Sequence, residues 1–315
     1  MTKFSTMESG NNYAAFGMIT EILQKEAKNG NPFLDVKLSD GDKEITAKLF
    51  DHDMDRFNHK KGDIIAISLN VSTYNGSLNY QIKGYRDIEE ADGVDANDFI
   101  LAAPISGEKM FDDCMSVVAD IKSRNFDLGN LVENILSDNK DKLLYWSAAK
   151  TMHHNCYSGL LYHAWRMMKS AIAICSVYDS VDSDMVVAGC ILHDIGKLSE
   201  LDTDEFGVAE YTIDGNLTGH LVMGRDLVKE YGKRLGTNPE IIRDLSHIIL
   251  SHHGKLEWGA VTQPATMEAF LVSQLDQTDA KIYMYEKAEA DLEPGEITQD
   301  RAVEGVRVYR SANKI

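Results

Sequence analysis

The chain has 315 residues, about twice the commonest domain size, so two domains are expected. Hydrophobic residues at 43% and charged residues at 26% are ordinary for a globular protein that builds cores. Lys and Arg number 32 against 50 Asp and Glu, and the net charge of −18 excludes a broad basic surface for coating duplex DNA or an anionic membrane. A single strand held in a local groove, or through metal ions, stays open.

Met1 to Asn12 is polar and lacks the apolar centre of a signal peptide, and no apolar run approaches the roughly 18 residues of a membrane helix. Cys114, Cys156, Cys175 and Cys190 form no CxxC pair. They suit a reducing cytosol, as small buried apolar side chains, so a cytoplasmic location is expected.

Residues 13–88 alternate with period two. Strands are predicted over Tyr13–Leu23, Phe33–Leu38 and Ile45–Phe50, with Asp40-Gly41-Asp42 as a turn. Ile64–Tyr74 and Leu78–Tyr85 read as a hairpin around Asn75-Gly76, which suits a type I′ turn. Five strands at this spacing predict a small closed barrel of the OB type, spanning 1–88. If Leu34, Val36, Leu38, Ile45, Ala47 and Leu49 fill it, then Phe33, Lys37, Lys48 and Phe50 project outward together. That is the composition of a stacking platform for single-stranded nucleic acid. The alternative is that the two phenylalanines pack against the second domain or an oligomer partner. Tyr74 and Tyr80 are further candidates of the same kind.

Residues 89–120 carry nine acidic side chains and one basic one, Lys109, and are interrupted by Gly93, Pro104 and Gly107. An acidic linker is expected over 89–109. From Met110 the periodicity becomes helical, as in Leu160, Leu161, Ala164, Met167 and Met168, so 110–293 is predicted as an all-α bundle. The polar residues 294–315, opening at Pro294-Gly295, are expected as an extended arm. The fold class is thus multidomain, a five-stranded β-barrel followed by a helical bundle.

Eight of the ten histidines lie between residues 153 and 253. His163, His193-Asp194, His220, His252-His253 and Asp276 succeed one another at intervals of 30, 26, 32 and 23 residues, each about a helix plus a loop. Successive helices of a bundle can then aim one ligand each at a common point. So many imidazoles and carboxylates exceed what one ion uses, and a two-metal site with a bridging carboxylate accounts for the surplus. The mixed donors suit Mn²⁺ first, with Fe²⁺ or Co²⁺ as alternatives, better than Ca²⁺ or a structural Zn²⁺.

Ile191-Leu192-His193-Asp194-Ile195-Gly196-Lys197 resembles the signature of the HD superfamily. With Gly159–His163, Gly215–His220, Ser251–Lys255, Glu257–Gly259 and Asp276–Ala280, the series is similar to that of the YhaM-type 3′→5′ exoribonucleases, which join an OB domain to an HD domain. The resemblance spans nearly the whole chain. It implies that His163, His193, Asp194 and Asp276 hold one metal ion, and that Asp194 bridges to a second held by His220, His252 and His253. Asp279, one turn after Asp276, would orient a ligand.

Lys197, one turn after His193, is expected to reach a phosphate oxygen beside the catalytic Asp194; the bland role is a surface lysine at a helix end. His154 and Lys255 are candidates for substrate contact, and His153 is a weaker one. Trp258 would either stack on a base or pack on the bundle. His247 is expected to be structural, and His52 and His59 have no evident partner. The function implied is a metal-dependent exoribonuclease releasing nucleoside 5′-monophosphates from single-stranded RNA, and from single-stranded DNA as a second substrate. The alternatives are a nucleotide or cyclic-dinucleotide phosphodiesterase, or a nucleic-acid-binding regulator with an inactive HD domain. A homo-oligomer is compatible with either.

Overall fold

The computed structural model describes residues 2–27, 30–74, 77–149, 156–290, 292–298 and 303–313, with the side chains of Ser77 and Asn97 outside the description. The Asn75-Gly76 turn and both His153 and His154 therefore lie outside the described residues. The chain divides into two compact units, Met1–Ala102 with Lys287–Ile315, and Ala103–Glu286.

In the first unit, β1 (Asn12–Glu26), β2 (Pro32–Ser39), β3 (Glu44–Phe50), β4 (Ile64–Tyr74) and β5 (Ser77–Asp87) close a barrel in the order β1-β2-β3-β5-β4. All five predicted strands are present. Strict alternation drives closure: Leu34, Val36, Leu38, Ile45, Ala47, Leu49, Ile65, Ile67, Leu69 and Val71 are all buried in one core. Register shifts between Ile19 and Glu21 in β1, and between Ser68 and Leu69 in β4, supply the local bends that a small barrel needs. The ring is completed by the parallel pairing of Ala47 with Tyr80 and Lys48 with Gln81, the Greek-key arrangement of an OB fold. A short helix, α1 (Met54–Phe57), leads from β3 toward β4; Asp53 caps it, and Phe57 closes the core beneath.

Within the acidic stretch after the barrel, Phe99 is fully buried and its carbonyl accepts from Ser39 Oγ at 2.6 Å. Gly41, at φ +86, is approached so closely by Asp98 that a Cβ there would sit 2.1 Å from its carbonyl oxygen. The C-terminal residues fold back on themselves. Thr298 N–H donates to Val308 O and Arg310 N–H to Glu296 O, while Val303 and Val308 are buried.

The second unit contains α2 (Gly107–Arg124), α3 (Phe126–Asp138), α4 (Lys140–Leu143), α5 (Gly159–Cys175), α6 (Ser183–Leu192) and α7 (Lys197–Glu200). It continues with β6 (Leu201–Thr203), β7 (Ala209–Tyr211), α8 (Ile213–Thr218), α9 (His220–Leu235), α10 (Pro239–Ser251) and α11 (Met267–Ala290), whose last turn falls in the first unit. The β6–β7 ribbon adds to the predicted all-α bundle; three-residue strands are too short to show a period. Helix α6 is buried on every side from Met185 to Leu192, so it runs through the core. Gly189 lets Ile248 and Val272 close on it, with a Cβ there only 3.0 and 3.1 Å from their side chains. The chain leaving α6 consequently delivers His193 and Asp194 into the middle of the bundle. Among the described residues, no helix is long and apolar enough to cross a membrane.

Candidate metal centre

Five elements converge on the end of α6. His163 lies in the first turns of α5, and His193 and Asp194 form the turn after α6. His220 opens α9 behind Gly219, whose φ of +78 turns the chain into that helix. His252 caps α10 with His253 beside it, and Asp276 and Asp279 share α11. Gly196 explains part of the fit: a Cβ there would lie 2.0 Å from the carbonyl oxygen of His220, so only glycine admits the start of α9. Gly254 has φ +81, and a Cβ there would meet Ser273 Oγ at 2.6 Å, which brings the loop after His253 against α11.

Asp194 occupies the centre, and its two oxygens face different groups. Oδ2 lies 3.3 Å from His193 Nε2 and 4.0 Å from His163 Nε2. Oδ1 lies 3.3 Å from His220 Nε2 and 3.5 Å from His252 Nε2. Asp276 Oδ1 closes the first group, 3.1 Å from His163 Nε2 and 4.0 Å from His193 Nε2. Three sets have ligand atoms within 4.8 Å of one another and could hold a metal ion: His163, His193 and Asp276; His220, His252 and His253; and His193, Asp194 and His252.

Every Nδ1 but one is committed outward. Those of His163, His193, His220 and His252 donate to Asp279 Oδ2, Cys190 O, Glu200 Oε1 and Ile249 O at 2.8, 2.9, 2.9 and 2.8 Å. Because these partners only accept, each ring carries its proton on Nδ1 and turns Nε2 inward, the arrangement metal-binding histidines use.

The charges agree with this arrangement. Burial opposes charge on Asp194, yet Lys197 and His193 hold its carboxyl well below the usual carboxylate range. Burial likewise fails to raise Asp276, which the hydrogen bond from His163 holds low. Burial lowers both His252 and His253, keeping them neutral with a lone pair to offer. His163 goes the other way: burial resists its charge, but Asp276 and Asp279 push it up to about 9. A positive charge is thus favoured between His163 and Asp276, and a proton supplies it when no metal does.

Among the described residues, the buried atoms Asp194 Oδ1, His220 Nε2 and His253 Nδ1 have no hydrogen-bond partner. An orphaned carboxylate oxygen among imidazole nitrogens is costly. Divalent cations relieve that cost, so the donor set fits them.

A family model described as the HD domain matches residues 160–281, which hold the whole constellation. A 3′-5′ exoribonuclease YhaM of Listeria welshimeri is 33% identical over 293 residues, covering 93% of this chain and 92% of the relative. The chain belongs to the YhaM 3′-5′ exoribonuclease family. The enzymes of the same name in Listeria monocytogenes and Listeria innocua match over the same length at 33% and 32% identity. Among solved structures, the second OB-fold domain of replication protein A from Methanococcus maripaludis is 20% identical, with a TM-score of 0.24 over 28% of this chain and 94% of that one.

The remaining expected residues of this family member lie as follows. Lys197 is buried, not at the surface; its ammonium is 2.7 Å from Asp194 Oδ2, and its carbonyl accepts from Trp146 Nε1. Asp279 stands behind His163 rather than in the donor sets, with its other oxygen 2.6 Å from Arg166 Nε. Lys255 is exposed, lies 4.3 Å over the ring of Trp258 and pairs with Glu257 at 3.5 Å. Trp258 is 47% exposed and so does not pack into the core. His247 Nε2 accepts from Ala265 N–H, a structural role. His52 Nδ1 donates to Phe50 O, and His59 lies among Phe57, Tyr85, Asp63 and Asp87. His154 is outside the described residues.

On the barrel, Phe33 and Phe50 are cross-strand partners with ring centroids 5.5 Å apart, and Phe50 is 40% exposed. Lys48 pairs in register with Asp35, and Lys37 is bound to Glu21 at 2.7 Å. Tyr74 is exposed whereas Tyr80 is buried, so the two do not share a face. Sequence reasoning missed Glu200 behind His220 and Arg166 behind Asp279. Each follows a recognised residue by three positions, which is the only signal either carried.

Proposed function

We propose that the chain is a metal-dependent 3′→5′ exoribonuclease that hydrolyses single-stranded RNA to nucleoside 5′-monophosphates. Single-stranded DNA is the second substrate, and two divalent ions, Mn²⁺ first and Fe²⁺ or Co²⁺ next, serve the reaction. One observation carries this reading: the two oxygens of Asp194 are divided between two groups of imidazoles, as a bridging carboxylate requires. We assign His163, His193, Asp194 and Asp276 to one ion, and Asp194, His220, His252 and His253 to the other.

When bound, the ions would activate water and neutralise charge on the phosphate oxygens. The protein's own groups do the rest. Asp194, Asp276, Asp279 and Glu200 set four carboxylates against the two fixed cations Lys197 and Arg166, a centre that is net negative by itself. Two divalent charges held by the assigned residues would reverse that sign in favour of a phosphodiester. Lys197 has three N–H donors and gives one to Asp194, leaving others for a phosphate oxygen. Burial of His163, His193 and His252 keeps bulk water from competing for the inner donors. His154 and Lys255 are assigned to substrate contact, the former by sequence position alone.

We assign strand binding to residues 1–88, through Phe33, Lys37, Lys48 and Phe50, with 89–109 as linker, 110–293 as hydrolase and 294–315 as C-terminal arm. Stacking on the Phe33–Phe50 pair tolerates any base, as processive trimming needs. We place the enzyme in the cytoplasm, in keeping with four buried cysteines that form no disulfide.

The test is incubation of 5′-end-labelled single-stranded RNA with the full chain and Mn²⁺, beside the His193→Ala, Asp194→Ala double variant. Laddering from the 3′ end that vanishes in the variant is the expected result. Binding without degradation under several metals would overturn the reading.

A further inference from the structure

Outside the ligands themselves, one buried carboxylate has a geometry the reaction does not explain. Glu200 ends α7, is only 7% exposed, and turns a single oxygen to a single residue. Its Oε1 accepts from His220 twice, from the backbone N–H at 3.0 Å and from Nδ1–H at 2.9 Å. Gripping both the backbone and the ring fixes the orientation of the imidazole, because rotation about either side-chain torsion breaks the second bond. Nε2 is then held 3.3 Å from Asp194 Oδ1.

Glu200 is itself braced. Its carbonyl accepts from Thr212 N–H at 3.0 Å, and Thr212 Oγ1 caps α8 by accepting from Gly215 N–H at 2.8 Å. Gly215 packs so tightly on that carbonyl that a Cβ would lie 2.1 Å away. The β6–β7 ribbon closes the loop between them, pairing Leu201 with Tyr211. The segment between Lys197 and His220 is thus a frame whose one buried acid faces the ligand that follows.

We propose that Glu200 is the positioning residue of the ion held by His220, His252 and His253, and that its charge, not its bulk, sets that ion's affinity. The inference rests on the two-ion reading above. A carboxylate behind an imidazole makes Nε2 a stronger donor than a carbonyl does. Among the described residues, Nδ1 of His252 has the Ile249 carbonyl behind it, and His253 Nδ1 has no partner. Among the described residues, Glu200 therefore supplies the carboxylate backing for these three histidines, just as Asp279 backs His163 in the other group.

The test is Mn²⁺ titration of the chelator-stripped full chain by calorimetry, with thermal melting alongside. Wild type is expected to take up two ions. In Glu200→Ala one binding event weakens by about 10- to 100-fold while the other is unchanged. Glu200→Gln keeps an accepting oxygen without the charge, so it falls between wild type and Glu200→Ala, and it carries the test if the alanine variant does not fold. A fold defect would instead weaken both events together. Two events unchanged in a normally melting Glu200→Ala, or both weakened equally, would overturn this inference alone. A wild-type chain that binds a single ion would overturn the two-ion reading beneath it.

Discussion

His163 Nδ1–H donates to Asp279 Oδ2 across 2.8 Å, joining side chains 116 residues apart in the chain. Arg166, one turn beyond His163 on α5, holds the other oxygen of the same carboxylate at 2.6 Å and pairs with Glu286 at 2.8 Å. The innermost ligand of the first group is therefore set by a relay that ties the two helices α5 and α11. Asp279→Asn leaves the shape intact but removes the charge that faces both His163 and Arg166. Mn²⁺ affinity at the His163 group should fall by about 10- to 100-fold, read by calorimetry, with the other ion unaffected. Unchanged affinity would mean that Asp279 serves only the helix packing.

Proton competition follows from the same contact. Without metal His163 is charged up to about pH 9, and a metal ion on Nε2 must expel that proton. From pH 6.5, the ordinary histidine value, to about 9, apparent affinity should climb by about tenfold per pH unit and then level. The sign for the metal-free fold is the opposite. A folded-state pKa raised above the unfolded one stabilises fully below 6.5, and that stability is lost as pH rises through 9. Titrations in buffers of differing ionisation enthalpy check the proton release; an affinity flat with pH would show that His163 Nε2 takes no metal.

Gly196→Ala tests the close approach of α9. With a Cβ 2.0 Å from the His220 carbonyl, the backbone must move, destabilising the fold by about 1–3 kcal/mol and displacing His220 from Asp194. Denaturant unfolding measures the first effect and Mn²⁺ uptake the second. A variant with wild-type stability and uptake would contradict the packing described.

The aromatic pair on the barrel gives a separate outcome. Phe33→Ala and Phe50→Ala together should weaken binding of single-stranded RNA by about 10- to 100-fold, since each stacked base contributes about 1–3 kcal/mol. Metal uptake should be unaltered. Fluorescence anisotropy on metal-free protein measures this without cleavage, and unchanged affinity would leave the pair a packing feature of β2 and β3.

Much of this was legible in the sequence, for physical reasons that differ by region. The barrel was readable because Leu34, Val36 and Leu38 must all face one way in a strand, and all three are fully buried. The convergence of the histidines was readable because few other roles call for that many imidazoles at helix-length intervals, and the structure brings them into groups that could hold a metal ion. Glu200 was not, since an acid at the end of a four-residue helix carries no periodic signal and its partner lies 20 residues on, across a ribbon too short to predict. Arg166 looks like an ordinary charge on a helix until α11 is packed against it. The occupation of Lys37 by Glu21 depends on the β1–β2 register, which alternation alone does not fix. For Lys197 the sequence left two roles open, a phosphate contact and a surface lysine at a helix end, and burial beside Asp194 at 2.7 Å removes the second.

The central claim is that Asp194 serves both groups at once, and titration of Mn²⁺ into Asp194→Asn tests it most directly. Both binding events should weaken together, whereas His163→Ala weakens only one. Asp194→Asn that loses one ion and retains the other at wild-type affinity would contradict the bridging role.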